Sequence, residues 1–72
     1  MKTYWFIDED GIVRPVYEDE DGLYSPNFQY DLEIHGNVLW CCMASPLTGQ
    51  MLVDAEYALY NSLAELAKVI EG

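Results

Sequence analysis

The sequence predicts an α+β fold: an antiparallel β-sheet of four to five strands, built from hairpins, with one C-terminal α-helix packed on one face. Two patterns support this fold class. Residues 28–35 alternate between apolar and polar side chains, which is typical of a half-buried strand. Near the end of the chain, apolar side chains recur at helical spacing, and they are Leu59, Leu63, Leu66 and Ile70.

The first hairpin is predicted from turn residues between two apolar runs. Residues 3–7 are β-branched or aromatic, and the Asp-Glu-Asp-Gly sequence at 8–11 suits a type I turn followed by a left-handed glycine. The chain would return along residues 12–17. Because Pro15 has no backbone N–H, this strand is expected to lie at a sheet edge or to carry a bulge. The same acidic tetrapeptide recurs at 19–22 and precedes a short apolar segment.

A second hairpin is predicted around Gly36 and Asn37, between residues 28–35 and the apolar run 38–44. A two-residue loop would set the register and divide the side chains between two faces. The expected core face carries Tyr30, Leu32, Ile34, Leu39, Cys41 and Met43. The opposite face would expose Val38, Trp40 and Cys42 beside Asp31 and Glu33.

Residues 50–53 are predicted to add a short strand, and residues 55–71 are predicted to form the helix. Asp54 would be the N-cap, because its side chain can accept a hydrogen bond from the first helical turn. The whole chain, residues 1–72, is expected to be a single small acidic domain, since so short a chain cannot be divided between two cores.

The charge composition restricts the partners. The net charge is −10, from thirteen acidic residues against three Lys and Arg, so direct binding to DNA, RNA or anionic lipid is not expected. A charged partner would be cationic. Adjacent Cys41 and Cys42 do not suit a disulfide framework, and the N-terminal segment lacks the apolar run of a signal peptide or membrane span. The expected location is therefore the cytoplasm.

The two acidic tetrapeptides allow three interpretations. Calcium loops are disfavoured, because Ile12 and Leu23 stand where further ligands would be needed. The turns can serve solubility alone. Alternatively, both turns contribute to one acidic surface that faces a basic, phosphate-binding groove on another protein, so that the chain mimics nucleic acid. A second candidate surface is the face of Trp40, an apolar anchor with acidic neighbours.

No catalytic or metal-binding pattern is present, so the chain is expected not to be an enzyme and to need no cofactor or metal. His35 is the only histidine and flanks a turn, and there is no Cys-His zinc set, phosphate-binding glycine loop or hydrolase elbow.

In size and charge alone, the chain is similar to the loose class of very small, acidic, phage-encoded proteins that disable host nucleases, including anti-CRISPR and anti-restriction proteins. The resemblance implies a non-enzymatic inhibitor acting in the host cytoplasm by charge mimicry on a basic nucleic-acid-binding protein or complex. The alternative is an antitoxin, immunity or adaptor protein that binds through Trp40, with the acidic residues serving solubility. The chain can also form a homodimer under either interpretation. The expected partner-binding residues are Asp8, Glu9, Asp10, Glu18, Asp19, Glu20, Asp21, Asp31, Glu33 and Trp40.

Overall fold

The computed structural model describes residues 1–72 and has an α+β architecture of six strands in two three-stranded antiparallel sheets, plus one C-terminal helix. The expectation of a single sheet of four to five strands is therefore corrected. The elements are β1 (Lys2–Ile7), β2 (Val13–Asp19), β3 (Gly22–Tyr24), β4 (Asp31–His35), β5 (Val38–Ala44), β6 (Met51–Ala58) and α1 (Leu63–Glu71).

The first sheet has the order β1-β2-β3 and is made by two consecutive hairpins. The first acidic tetrapeptide forms the β1–β2 turn, in which Gly11 has a φ of 78°. β2 is the central strand, not an edge strand. It nevertheless tolerates Pro15, because β3 pairs only with residues 17–19 and ends before reaching it. The Pro15 carbonyl instead accepts a 2.7 Å hydrogen bond from the buried Ser25 hydroxyl.

The second sheet has the order β4-β5-β6. The Gly36–Asn37 hairpin and its register are confirmed: Ile34 pairs with Leu39, and Glu33 pairs with Trp40. The strand expected at 28–35 begins only at Asp31. A register shift between Cys41 and Cys42 interrupts the pairing of β5 with β6.

Residues just after β6 join the two sheets. Trp5 of β1 and Tyr60 exchange two backbone hydrogen bonds of 2.8 Å, while the Leu59 N–H donates to the Asn37 carbonyl at 2.8 Å. The core lies between the sheets and contains the buried side chains Phe6, Val16, Leu39, Cys41 and Leu59. An aromatic group extends it, with the Phe6 ring centroid 5.2 Å from Phe28 and 5.0 Å from Tyr57.

The helix prediction for 55–71 is wrong over its first half, because residues 51–58 are strand β6 and the helix begins at Leu63. Its N-cap is Ser62, not Asp54. The Ser62 hydroxyl accepts from the Glu65 N–H at 3.1 Å, and the Glu65 carboxylate accepts from the Asn61 N–H at 3.1 Å. Ser62 and Glu65 thus have the spacing of a capping box.

Within α1, Leu66 is the buried residue, whereas Leu63 and Ile70 are exposed. The helix lies against β1 of the first sheet. The expected leucine stripe therefore does not cover the second sheet, and its first member, Leu59, belongs to the segment that follows β6. Met43, expected in the core, is also exposed, because β5 continues past the core to the loop that leads into β6.

Candidate protein-binding surfaces

The first acidic turn is held together by Asp8, whose carboxylate is buried and fully used within the turn. One Asp8 oxygen accepts from the N–H groups of Asp10 and Ile12, both at 2.9 Å, and the other accepts from Arg14 Nε. The Ile12 N–H, and then Arg14, hold the Asp8 pKa below its ordinary value, although burial opposes this. Among the expected binding residues, Asp8 therefore has a local structural role.

Glu9 and Asp10 form the exposed tip of the first turn, beside a cleft of about 180 Å³ where the turn approaches the second sheet. Burial, followed by the charge of Glu9, raises the pKa of Tyr57 to about 12. The Asp54 carboxylate is the main cause of the raised Tyr30 pKa. The tyrosines thus remain neutral among carboxylates. Lining the cleft are Asp8, Glu9, Asp10, Arg14, Phe28, Tyr30 and Tyr57.

The second acidic turn has a similar internal bond but no arginine, and Lys2 of β1 lies opposite Glu18. The Asp19 carboxylate accepts from the Asp21 N–H at 2.9 Å, and Glu20 is exposed beside them. Glu18 accepts a 3.2 Å hydrogen bond from the Tyr4 hydroxyl. With no arginine nearby to match the role of Arg14, this turn presents its charge to solvent.

The two acidic turns lie at opposite ends of β2, one before Val13 and one after Asp19. Seven strand residues separate them by about 20 Å, at ~3.3 Å per residue. This exceeds the Debye length of ~8 Å at physiological salt. The turns are therefore two acidic tips at opposite ends of β2, and that both contribute to one partner-binding surface stays a prediction.

The Trp40 face is the outward face of the second sheet. Glu33 of β4 and Glu56 of β6 flank Trp40 on the two neighbouring strands. The His35 ring stacks on the indole with centroids 3.8 Å apart, and His35 Nε2 lies 3.2 Å from a Glu33 oxygen. Asp31, Glu33, His35 and Glu56 are all exposed, so this face is open to solvent.

The apolar row on this face is less exposed than the sequence indicates. Cys42 is only 3 % exposed, and Val38 and Trp40 are half-buried. The Cys42 thiol donates to the Glu33 carboxylate at 3.6 Å; burial, then this bond, raises its pKa. His35 therefore covers part of the Trp40 ring, and carboxylates surround the part that remains exposed.

Most of the negative charge has no cationic partner in the chain. Of the thirteen Asp and Glu side chains, only Asp8 forms an ion pair with a lysine or arginine. Lys2 lies over the Tyr4 ring, 4.8 Å from its centroid. The protein therefore presents almost its entire acidic complement to its surroundings.

The chain matches no known protein family, and no curated protein or solved structure is detectably similar to it. No three His, Cys, Asp or Glu side chains are grouped so that they could hold a metal ion. The structure contains no helix with the length and apolarity needed to span a bilayer.

Glu56, Tyr30 and Asp54 belong to these surfaces, although their sequence pattern was not taken to indicate it. The predicted helix includes Glu56 and Tyr57, yet the order Asp54, Ala55, Glu56, Tyr57 alternates polar and apolar residues as a strand does. That alternation is the available signal for strand β6.

Proposed function

We propose that this chain is a non-enzymatic acidic inhibitor that binds a basic nucleic-acid-binding protein assembly and blocks access of nucleic acid by charge mimicry. The proposed class is that of phage-encoded anti-CRISPR or anti-restriction proteins. The observation that carries the proposal is the single ion pair between Asp8 and Arg14, which leaves the other carboxylates without a lysine or arginine partner. Such uncompensated charge attracts a basic groove and accelerates association with it.

The charge density supports mimicry of one nucleic-acid strand. The molecule is elongated, 42 × 27 × 23 Å, and carries a net charge of −10. One strand of B-DNA has one phosphate per ~3.4 Å, so a 42 Å length would carry about 12 phosphates, and a duplex about twice as many. The protein therefore has roughly the charge of one strand over its own length.

The placement of the charges favours an extended target. Carboxylates occur at the first tip (Glu9, Asp10), at the second tip (residues 18–21) and on the Trp40 face. Because the tips lie about 20 Å apart, each contacts a different part of the target. A long, phosphate-binding channel provides basic side chains over such a distance, whereas a small basic pocket does not.

The Trp40 face supports the second candidate, an antitoxin, immunity or adaptor protein whose affinity lies in an apolar anchor. Its favouring observation is that Glu33 and Glu56 surround a partly exposed indole on an uncovered sheet face. Large aromatic side chains with polar rims dominate many interfaces. Replacing Trp40 with Ala would abolish binding by such a protein and change binding by a charge mimic by less than about twofold.

The proposed inhibitor is tested by adding the purified chain to a panel of nucleases, including CRISPR effectors and restriction enzymes, at low and high salt. Inhibition that weakens steeply with salt, and weakens further in the variant E9Q/D10N/D19N/E20Q/D21N, supports the proposal. A suitable control is E65Q/E71Q on α1, because an amide in place of the Glu65 carboxylate can still accept the capping hydrogen bond. Failure to inhibit any member, or inhibition insensitive to salt and to the tip variant, would count against it.

A further inference from the structure

One segment of this acidic chain is entirely uncharged. Residues 36–53 contain no Asp, Glu, Lys or Arg, although the chain as a whole carries a net charge of −10. The segment comprises β5, the following loop and the first part of β6. Its far end, residues 43–53, is called the hairpin tip below.

The hairpin tip exposes an unusual amount of apolar surface. Five of its large apolar side chains are between 45 % and 93 % exposed. A shallow cavity of about 280 Å³ lies among Met43, Pro46, Leu52 and Val53. Grouped apolar exposure next to polar surface is typical of a protein interaction site. The five exposed residues are Met43, Leu47, Met51, Leu52 and Val53.

The outer edge of β6 is also unpaired. β6 is the last strand of its sheet, and the backbone bonds that link it onward begin only at Leu59 and Tyr60. The Ser45 N–H donates to the Gln50 carbonyl at 2.8 Å, so the Gln50 carbonyl points toward the β5 side. Along an antiparallel ladder the backbone groups alternate in direction, so those of Leu52 also point toward β5. The N–H and C=O groups of Met51 and Val53 therefore point away from β5, as a template for another strand.

We infer that the hairpin tip docks on a second copy of this chain, with the two β6 strands paired antiparallel about a two-fold axis at Leu52. The second sheet of each copy then joins that of the other to form one continuous six-stranded sheet in the order β4-β5-β6-β6-β5-β4. The interface is isologous, so Met51 of each copy lies opposite Val53 of the other, and the two Leu52 residues face each other.

The charges of β6 exclude two-fold axes at Asp54, Ala55 and Glu56, and an axis at Leu52 avoids opposed carboxylates. With the axis at Leu52, Asp54 lies opposite the partner's Gln50, and no carboxylate opposes another. With the axis at Ala55, Asp54 would lie opposite the partner's Glu56, and directly opposed like charges destabilise a strand pair. Only the uncharged end of β6 is compatible with a copy of itself.

The geometry also limits repulsion between the two acidic molecules. Pairing at the hairpin tips sends the two bodies in opposite directions along β6, and the two Asp54 carboxylates lie four residues, or ~13 Å, apart along the strands, beyond the Debye length of ~8 Å. Residues 43–53 themselves carry no charge for the basic partner proposed above, and the Asp54 carboxylate at the edge of the cavity is the one charge beside them. An uncharged, self-complementary edge therefore suits a second copy better than that partner.

The first test is sedimentation of the whole chain from about 1 µM to about 1 mM, the range of weak association. We expect the mass to rise from monomer to dimer, and the variant Leu52→Lys to weaken dimerisation at least tenfold. Val69→Lys is the matched control, because Val69 on α1 is similarly exposed. A wild-type chain that remains monomeric at every concentration, or equal effects of both variants, would overturn the inference.

A second test determines the register. Oxidised glutathione is added to Leu52→Cys and, separately, to Glu56→Cys; the native Cys41 and Cys42 are buried and give little background. Residues facing each other across a non-hydrogen-bonded pair lie within disulfide range. Leu52→Cys should form a covalent dimer much faster than Glu56→Cys. Equal rates, or the reverse order, would exclude the axis at Leu52.

Discussion

Arg14, the only arginine of the chain, binds the carboxylate of Asp8, the one buried acidic residue. The first acidic turn thereby neutralises its buried charge and leaves Glu9 and Asp10 exposed at its tip. In the second turn the Asp21 N–H donates an equivalent hydrogen bond to the Asp19 carboxylate, but there is no arginine. The same tetrapeptide therefore has two different electrostatic roles.

The substitution Asp8→Asn tests the structural role of the first turn. The Asn side chain can still accept from backbone N–H groups but loses the charge that attracts Arg14, so the melting temperature at about pH 7 should fall by several degrees. Because the folded pKa of Asp8 is lowered, its stabilisation is present above the ordinary value of 3.8 and is lost as pH falls through the folded pKa. The difference between wild type and variant should therefore disappear in strong acid.

Asp10→Asn is the control for that experiment, since Asp10 is exposed and its side chain makes no hydrogen bond or ion pair. It should leave the melting temperature nearly unchanged. Equal effects of the two substitutions would show that the Asp8 carboxylate has no special role in the turn.

The position of Leu59 provides a test of the core. Leu59→Ala should lower the free energy of unfolding by about 2–4 kcal/mol, because the side chain is 7 % exposed and packs in the central cluster. Leu63→Ala, on the exposed side of α1, should cost less than about 1 kcal/mol. Chemical denaturation measures both. Similar losses would indicate that the two leucines share one buried helix stripe, as the sequence periodicity predicts.

The helix boundary can be tested at its cap. Ser62→Ala removes the hydroxyl that accepts from the Glu65 N–H and should cost about 1 kcal/mol of stability. Asp54→Ala removes the residue that the sequence predicts as N-cap, and it should leave the amide exchange of the first turn of α1 unchanged. Hydrogen exchange of the Glu65 and Leu66 amides distinguishes Ser62 from Asp54 as the N-cap, because only loss of the true cap speeds exchange at these amides.

Local turn chemistry made much of the fold predictable. The glycines after the acidic residues and the Gly36–Asn37 pair placed three hairpin turns, and alternation placed Leu32 and Ile34 on the core side. The arrangement of the two sheets against each other was not predictable, because it depends on long-range pairing such as that between Trp5 and Tyr60. No local pattern encodes that contact.

The helix boundary failed for a different reason. Leu59 and Leu63 are four residues apart, which matches helical spacing, but tertiary pairing places Leu59 in the segment directly after strand β6. The capping-box residues Ser62 and Glu65 were the local signal that could have corrected the boundary. The separation of the acidic tips was also inferable, since two consecutive hairpins place their turns at opposite ends of the strand they share.

The two cysteines should be unreactive in the folded protein. Burial is the main reason that the pKa of Cys41 is raised to about 11 and that of Cys42 is also raised. Thiolate is the reactive form, so iodoacetamide at about pH 8 should modify the folded chain at least a hundredfold more slowly than the unfolded chain. Mass spectrometry of labelled peptides measures each rate. Rapid labelling of Cys42 under native conditions would show that the Trp40 face opens at that residue.

The central claim is that the chain occupies the site of nucleic acid on a basic protein. The most direct measurement is equilibrium competition on an assembly that the chain inhibits, using fluorescent DNA or RNA and increasing concentrations of the chain. Charge mimicry predicts that the apparent Kd of the nucleic acid rises linearly with the concentration of free inhibitor, with no ternary complex. A ternary complex, or an apparent Kd that stays constant while activity is lost, would contradict the account.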